Sequence, residues 1–213
     1  MPRIGFLVPL ALLAVGLLVA AVVAPRLRPV TFHGTDLGHE TVAPDFTLRS
    51  DAGPVSLPEL RRDATLLFFG YTSCPDVCPL TLSKLRRVVE RLGEDASRVR
   101  VVLVSVDPEL DSPERVGAYA RRFHPDFVGL TGTRAGIMAV GADYGAYVGE
   151  PEPPAEAGAQ GHEGHGDHDP SPRIVPHTSH VFGIDRDGRM RLLWGGEATA
   201  EEIGADVREL LRR

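Results

Sequence analysis

The sequence predicts an α/β fold: a mixed sheet flanked by helices, preceded by an N-terminal transmembrane helix. Three observations carry that reading. The runs Thr65 to Phe69 and Val99 to Val106 are apolar enough for strands buried on both faces. A segment with helical apolar spacing follows each of them, and strands alternating with helices imply parallel pairing. Near the end, Val181 to Ile184 and Met190 to Leu193 flank Asp185-Arg186-Asp187-Gly188, which reads as an antiparallel hairpin. At 213 residues the chain is long enough for one domain with a substantial core.

In order, residues 1–3 form a short tip. Ile4 to Ala24 is 21 residues without a charge. At about 1.5 Å per residue, a helix over that run reaches roughly 30 Å, the thickness of a bilayer's hydrocarbon core. A cleaved signal peptide is the alternative. The length of the run, its poor small-x-small ending and the proline at position 25 favour an uncleaved anchor over residues 4–24. Residues 25–42 read as a polar tether. The domain proper is expected over residues 43–213. It opens with a hairpin, Asp45 to Leu48 and Val55 to Leu57 around Asp51-Ala52-Gly53-Pro54. After the strand at Thr65 to Phe69, a helix runs to about Leu92. After Val99 to Val106, Ser112-Pro113-Glu114 has the chemistry of a helix start, and that helix runs to about Phe123. A short strand at Phe127 to Leu130 and a helix at Thr133 to Tyr144 follow. Residues 150–172 are rich in Pro, Gly, acids and histidine, and read as a disordered insertion. After the final hairpin, Ala200 to Leu211 reads as a helix capped by Thr199. The order of these elements is a thioredoxin-like layout.

The net charge of −6 argues against a general nucleic-acid binder. Cys74 and Cys78 are the only cysteines, and they lie on the turn from the first central strand into its helix. Free backbone N–H groups and the helix dipole favour an anionic sulfur there. A proline follows each cysteine, so either could sit at the cap. A disulfide across so short a loop would be a weak staple, which points to a working dithiol. Three residues separate the pair, where the familiar redox motif has two. Sulfurs four apart on a helical turn can share one face, and so can chelate a soft metal. A thiol pair tethered by one membrane span makes most sense on the oxidising side of that membrane.

One imidazole would complete a two-thiolate site for Cu(I). Of eight histidines, His33 and His39 lie in the tether and His124 at a helix end. His162, His165 and His168 lie in the insertion, spaced for weak metal capture. His177 and His180 precede the hairpin strand that approaches the thiol turn in this layout.

On these residues the chain resembles the SCO/SenC family of membrane-anchored copper proteins that serve cytochrome c oxidase assembly. Gly70-Tyr71-Thr72-Ser73-Cys74-Pro75-Asp76-Val77-Cys78-Pro79 is similar to the family's cysteine motif, and Val104 to Pro108 with Asp111-Ser112-Pro113 to its second signature. The third signature is a histidine followed by Ser or Thr, with an Asp-Gly turn eleven residues on. His177-Thr178 and Gly188 fit that count, which selects His177 over His180. The resemblance covers Ala43 to Arg213. Pro176 stands where the family often has an acidic residue, and the His-rich insertion lies outside the family core.

The resemblance implies copper held by Cys74, Cys78 and His177. It implies delivery of that copper to the dinuclear copper centre of cytochrome c oxidase subunit II. The expected location is a bacterial inner membrane, single-pass, with the domain on the periplasmic side and another periplasmic copper chaperone as candidate donor. The alternative reading makes Cys74 and Cys78 a redox pair that keeps subunit II's copper-ligand cysteines reduced. Peroxide reduction ranks below both, because no peroxidase threonine-x-x-cysteine motif surrounds either cysteine.

Overall fold

The computed structural model describes residues 12–17, 31–150 and 174–212. Residues 12–17 are helical, and among the described residues no helix is long and apolar enough to cross a membrane. The rest of the predicted span, and the insertion with His162, His165 and His168, lie outside the described residues. The chain divides into two units, 1–32 and 33–213, and the second carries the α/β fold.

That unit begins with β1 (Thr35–Asp36) and the predicted hairpin, β2 (Thr47–Ser50) and β3 (Gly53–Ser56). One turn of helix follows, α1 (Leu57–Leu60), started by a capping box in which Glu59 accepts hydrogen bonds from the Ser56 N–H and hydroxyl. Leu57, expected in the second hairpin strand, therefore belongs to a helix. Next come β4 (Ala64–Gly70) and α2 (Val77–Leu92). A 3₁₀ segment (Gly93–Arg98) leads to β5 (Val99–Ser105), α3 (Pro113–Arg121), β6 (Val128–Leu130) and α4 (Arg134–Asp143). The chain closes with β7 (Val181–Asp185), β8 (Met190–Trp194) and α5 (Ala200–Arg212).

The main sheet runs β1-β8-β7-β4-β5-β6. Every residue of β4 is buried, as its unbroken apolar run requires of a central strand. It pairs parallel with β5 and antiparallel with β7. α2 buries Cys78, Thr81, Leu82, Leu85, Val88, Val89 and Leu92, the stripe that a 3.6-residue period lays down, and packs on α5. Thr199 caps α5 as expected, exchanging hydrogen bonds with Glu202.

From His33 onward the stretch expected to be a tether is bonded to the folded unit. β1 pairs with β8, and the His33 and Gly34 N–H groups donate to the Asp206 carboxylate at 2.9–3.1 Å. Asp206 also accepts from the Trp194 indole at 2.9 Å. A polar segment without periodicity gives no sign of this, because backbone groups and a distant carboxylate make the bonds.

Candidate metal centre

Strand direction assembles the site. β4 ends at Gly70, where α2 is about to begin. β7 runs antiparallel to β4, with Val181 opposite Phe68, so the residues preceding β7 lie past the end of β4. The cysteine turn and the histidine segment thus share one edge of the sheet, 99 residues apart in the chain.

Cys74 and Cys78 are both free thiols, and their surroundings differ. Cys78 is fully buried in the first turn of α2. Its sulfur fills the place where Gly70 has no side chain: a Cβ on Gly70 would stand 2.9 Å from Cys78 Sγ and 2.8 Å from Phe68. Cys74 is part-exposed and precedes the helix. The cap residue of α2 is Asp76, so neither cysteine takes the cap position; the Asp76 carboxylate makes no capping bond, and the Cys74 sulfur accepts the Cys78 N–H at 3.4 Å.

The electrostatics separate the pair. A hydrogen bond from the Cys78 thiol, with the backbone N–H groups of Cys78 and Asp76, lowers Cys74 from 9.0 to about 5. The same hydrogen bond, with burial, pushes Cys78 far up. The directions of the two shifts make Cys74 the more acidic thiol and Cys78 the one that keeps its proton.

His177 completes the group. Its Nε2 lies 4.0 Å from Cys78 Sγ, and its Nδ1 lies 2.8 Å from the Val175 carbonyl. A carbonyl only accepts, so Nδ1 carries the proton and Nε2 presents its lone pair toward the sulfurs. The Tyr71 ring packs edge-on against the imidazole, with centroids 5.4 Å apart. The segment is held by backbone bonds from Gly149 N–H to Pro176 O (2.7 Å) and from Thr178 N–H to Tyr147 O (2.9 Å). The Tyr147 N–H also donates to the Thr178 hydroxyl at 2.9 Å. These contacts orient the ring without the acidic neighbour that Pro176 replaces. Imidazole and thiolate bonds of roughly 2.0 and 2.3 Å place two ligands of one small cation about 3.6–3.8 Å apart. The observed 4.0 Å is close to that spacing. Among the described residues no group of three His, Cys, Asp or Glu side chains is already closed to ion-holding distances. Cys74 and His177 line an open cleft together with Pro75 and Ile174, and Cys78 lies buried behind it.

Of the other candidates, His124 is engaged on the surface, with Nδ1 accepting the Asp126 N–H at 3.3 Å. Two residues bearing on the site carry no role in the sequence reading. Asp111 was visible only as part of the second signature, and Tyr71 as part of the first. Their function needs the third dimension, because β4 and β5 are parallel neighbours whose ends, Gly70 and Ser105, lie side by side.

Comparison with known proteins identifies the family. The SCO1/SenC family profile matches residues 34–212. An SCO2-like protein of Rickettsia conorii is 31% identical over 146 residues, 68% of this chain and 65% of the relative, so the chain spans just under two thirds of that relative's length. The solution structures of apo Sco1 from Thermus thermophilus are 36% identical, with a TM-score of 0.70 over 84% of this chain and 97% of that one. The structure of Bradyrhizobium japonicum ScoI with copper bound is 32% identical, with a TM-score of 0.65 over 80% and 99%. With the whole folded unit matched, and two thiols and one imidazole converging at the sheet edge, this chain belongs to the SCO1/SenC family.

Proposed function

We propose that this protein binds copper through Cys74, Cys78 and His177 and passes it to the dinuclear copper site of cytochrome c oxidase subunit II. The observation that carries the reading is the 4.0 Å approach of the His177 Nε2 lone pair to Cys78 Sγ, beside a Cys74 thiolate. Two thiolates suit Cu(I), and one neutral nitrogen also accommodates Cu(II). The cleft leaves one side of the donor set open. An acceptor thiolate can enter there before Cys74 leaves, so the ion is exchanged rather than released. The uncharged run at residues 4–24 serves as a membrane anchor, the domain of residues 43–213 faces the periplasm, and residues 150–172 add histidines outside the site. The test is copper stoichiometry and transfer. The reduced chain is expected to bind one Cu(I) tightly and to load reduced subunit II without loss to a competing chelator. Failure to bind, or loss of the ion to the chelator during transfer, would overturn the reading.

The split between the two thiols supports a second reading. A Cys74 thiolate lowered to about 5, next to a protonated partner, is the arrangement of a reductant. Cys74 would attack a disulfide of subunit II, forming a mixed disulfide and freeing one partner thiolate. Cys78 would then lose its proton and attack Cys74 Sγ. That closes the Cys74–Cys78 disulfide and frees the second partner thiolate, two electrons having passed to the partner. A Cys78→Ser variant is expected to trap the mixed disulfide with oxidised subunit II, and no adduct would remove this reading.

A further inference from the structure

A set of groups that supply no donor atom nonetheless governs the shape of the site. The Asp111 carboxylate is 1% exposed. It accepts hydrogen bonds from the Thr72 N–H (2.9 Å), the Thr72 hydroxyl (2.5 Å) and the Ser105 hydroxyl (2.6 Å). Arg115, on the first turn of α3, pairs with it at 3.4 Å and donates to the Thr72 hydroxyl oxygen at 2.8 Å. Thr72 is therefore fixed through both backbone and side chain by groups 39 and 43 residues away.

What Thr72 joins gives this its meaning. On one side, the Tyr71 ring packs against the His177 imidazole. On the other, the turn continues to Cys74, whose N–H donates to the Tyr71 carbonyl at 3.4 Å. We propose that Asp111, braced by Arg115, is a positioning residue that sets the cysteine turn against His177 through Thr72. The proposal rests on Cys74 and Cys78 being working thiols, and holds whether copper or a disulfide is their substrate. A carboxylate this buried costs stability unless its oxygens are satisfied, so its four partners lock one geometry. Asp206 is the internal control. It is 2% exposed and equally bonded, but to His33, Gly34 and Trp194, away from the cysteine turn.

The test uses the full chain with Asp111→Asn, Thr72→Val, their combination and Asp206→Asn. Three quantities are read: the dithiol–disulfide equilibrium of the metal-free protein against glutathione, the Cu(II)–thiolate absorption band and the melting temperature. Asp111→Asn is expected to change the equilibrium constant about tenfold or more, the scale of a lost charged hydrogen bond, and to shift the band. Thr72→Val should move both the same way, and the double variant should fall short of the sum, because both changes break one contact. Asp206→Asn should lower the melting temperature and leave the equilibrium and the band as in the parent. If Asp111→Asn only lowers the melting temperature, as Asp206→Asn does, Asp111 is scaffold and the proposal fails. Should Asp111→Asn not fold, Thr72→Val decides alone, and a parent-like equilibrium would overturn the proposal. A parent chain with no Cu(II) band would refute the copper reading, and the glutathione equilibrium would still judge Asp111.

Discussion

The two halves of the site are built differently. The cysteine half stands on a fully buried strand and the first turn of a sixteen-residue helix, with Cys78 packed as core. The histidine half is a short segment outside any strand, joined to Tyr147–Gly149 by a few backbone bonds and one side-chain bond. One half is rigid by construction and the other is adjustable. A protein that only stored an ion would fix both halves. One that receives and surrenders its substrate benefits from a ligand that moves, because exchange then requires no distortion of the sheet.

The sharpest way to break this contrast is to remove a donor from each half. Cys78→Ser should lower Cu(I) affinity by more than the roughly 10–100-fold that loss of an outer-sphere partner costs. His177→Ala should abolish the Cu(II)–thiolate band and leave most Cu(I) affinity, because two thiolates remain. Equal Cu(I) losses in competition titrations would show that the halves are not distinct in this way.

The next effect is in pH. Cys74, lowered to about 5 from 9.0, should react with iodoacetamide along a curve with its midpoint near 5, and Cys78→Ala should raise that midpoint by removing the S–H donor. The sign for stability follows from linkage. The lowered Cys74 value stabilises the fold increasingly as pH rises from 5 toward 9, and above 9 the raised Cys78 value acts against it. A reactivity midpoint near 9 in the parent would contradict the assigned thiolate. The smallest effect is expected in the histidine half. Thr178→Val removes the hydroxyl that accepts from Tyr147, a bond worth about 1 kcal/mol. Cu(II) affinity should fall several-fold with Cu(I) affinity nearly unchanged, and a matching loss of Cu(I) would argue against an adjustable histidine.

Much of this was legible in the chain, for physical reasons. Buried strands and amphipathic helices write their period into the sequence, so β4, α2, β5, α3, the final hairpin and the Thr199 cap follow from it. Two cysteines on a strand-to-helix turn also declare their chemistry. What stayed hidden depends on pairing across the fold. The alternation around Val55 makes Leu57 look like strand, whereas the Ser56–Glu59 capping box starts a helix there. The docking of His33 and Gly34 on Asp206, and of Asp111 on Thr72, joins residues 173, 172 and 39 apart, for which no local pattern exists. The proline after each cysteine suggests a cap at one of them, but Asp76 takes that position and the Cys74 sulfur supplies a bond to the first turn.

The missing side chain at Gly70 has a consequence for timing. Because the Cys78 sulfur sits against that hollow and is wholly buried, whereas Cys74 is part-exposed, a visitor does not reach Cys78 directly. Every incoming group must greet Cys74 first, and Cys78 is the last to let go. A glycine at the last position of a central strand thereby imposes an order of events on the chemistry beside it.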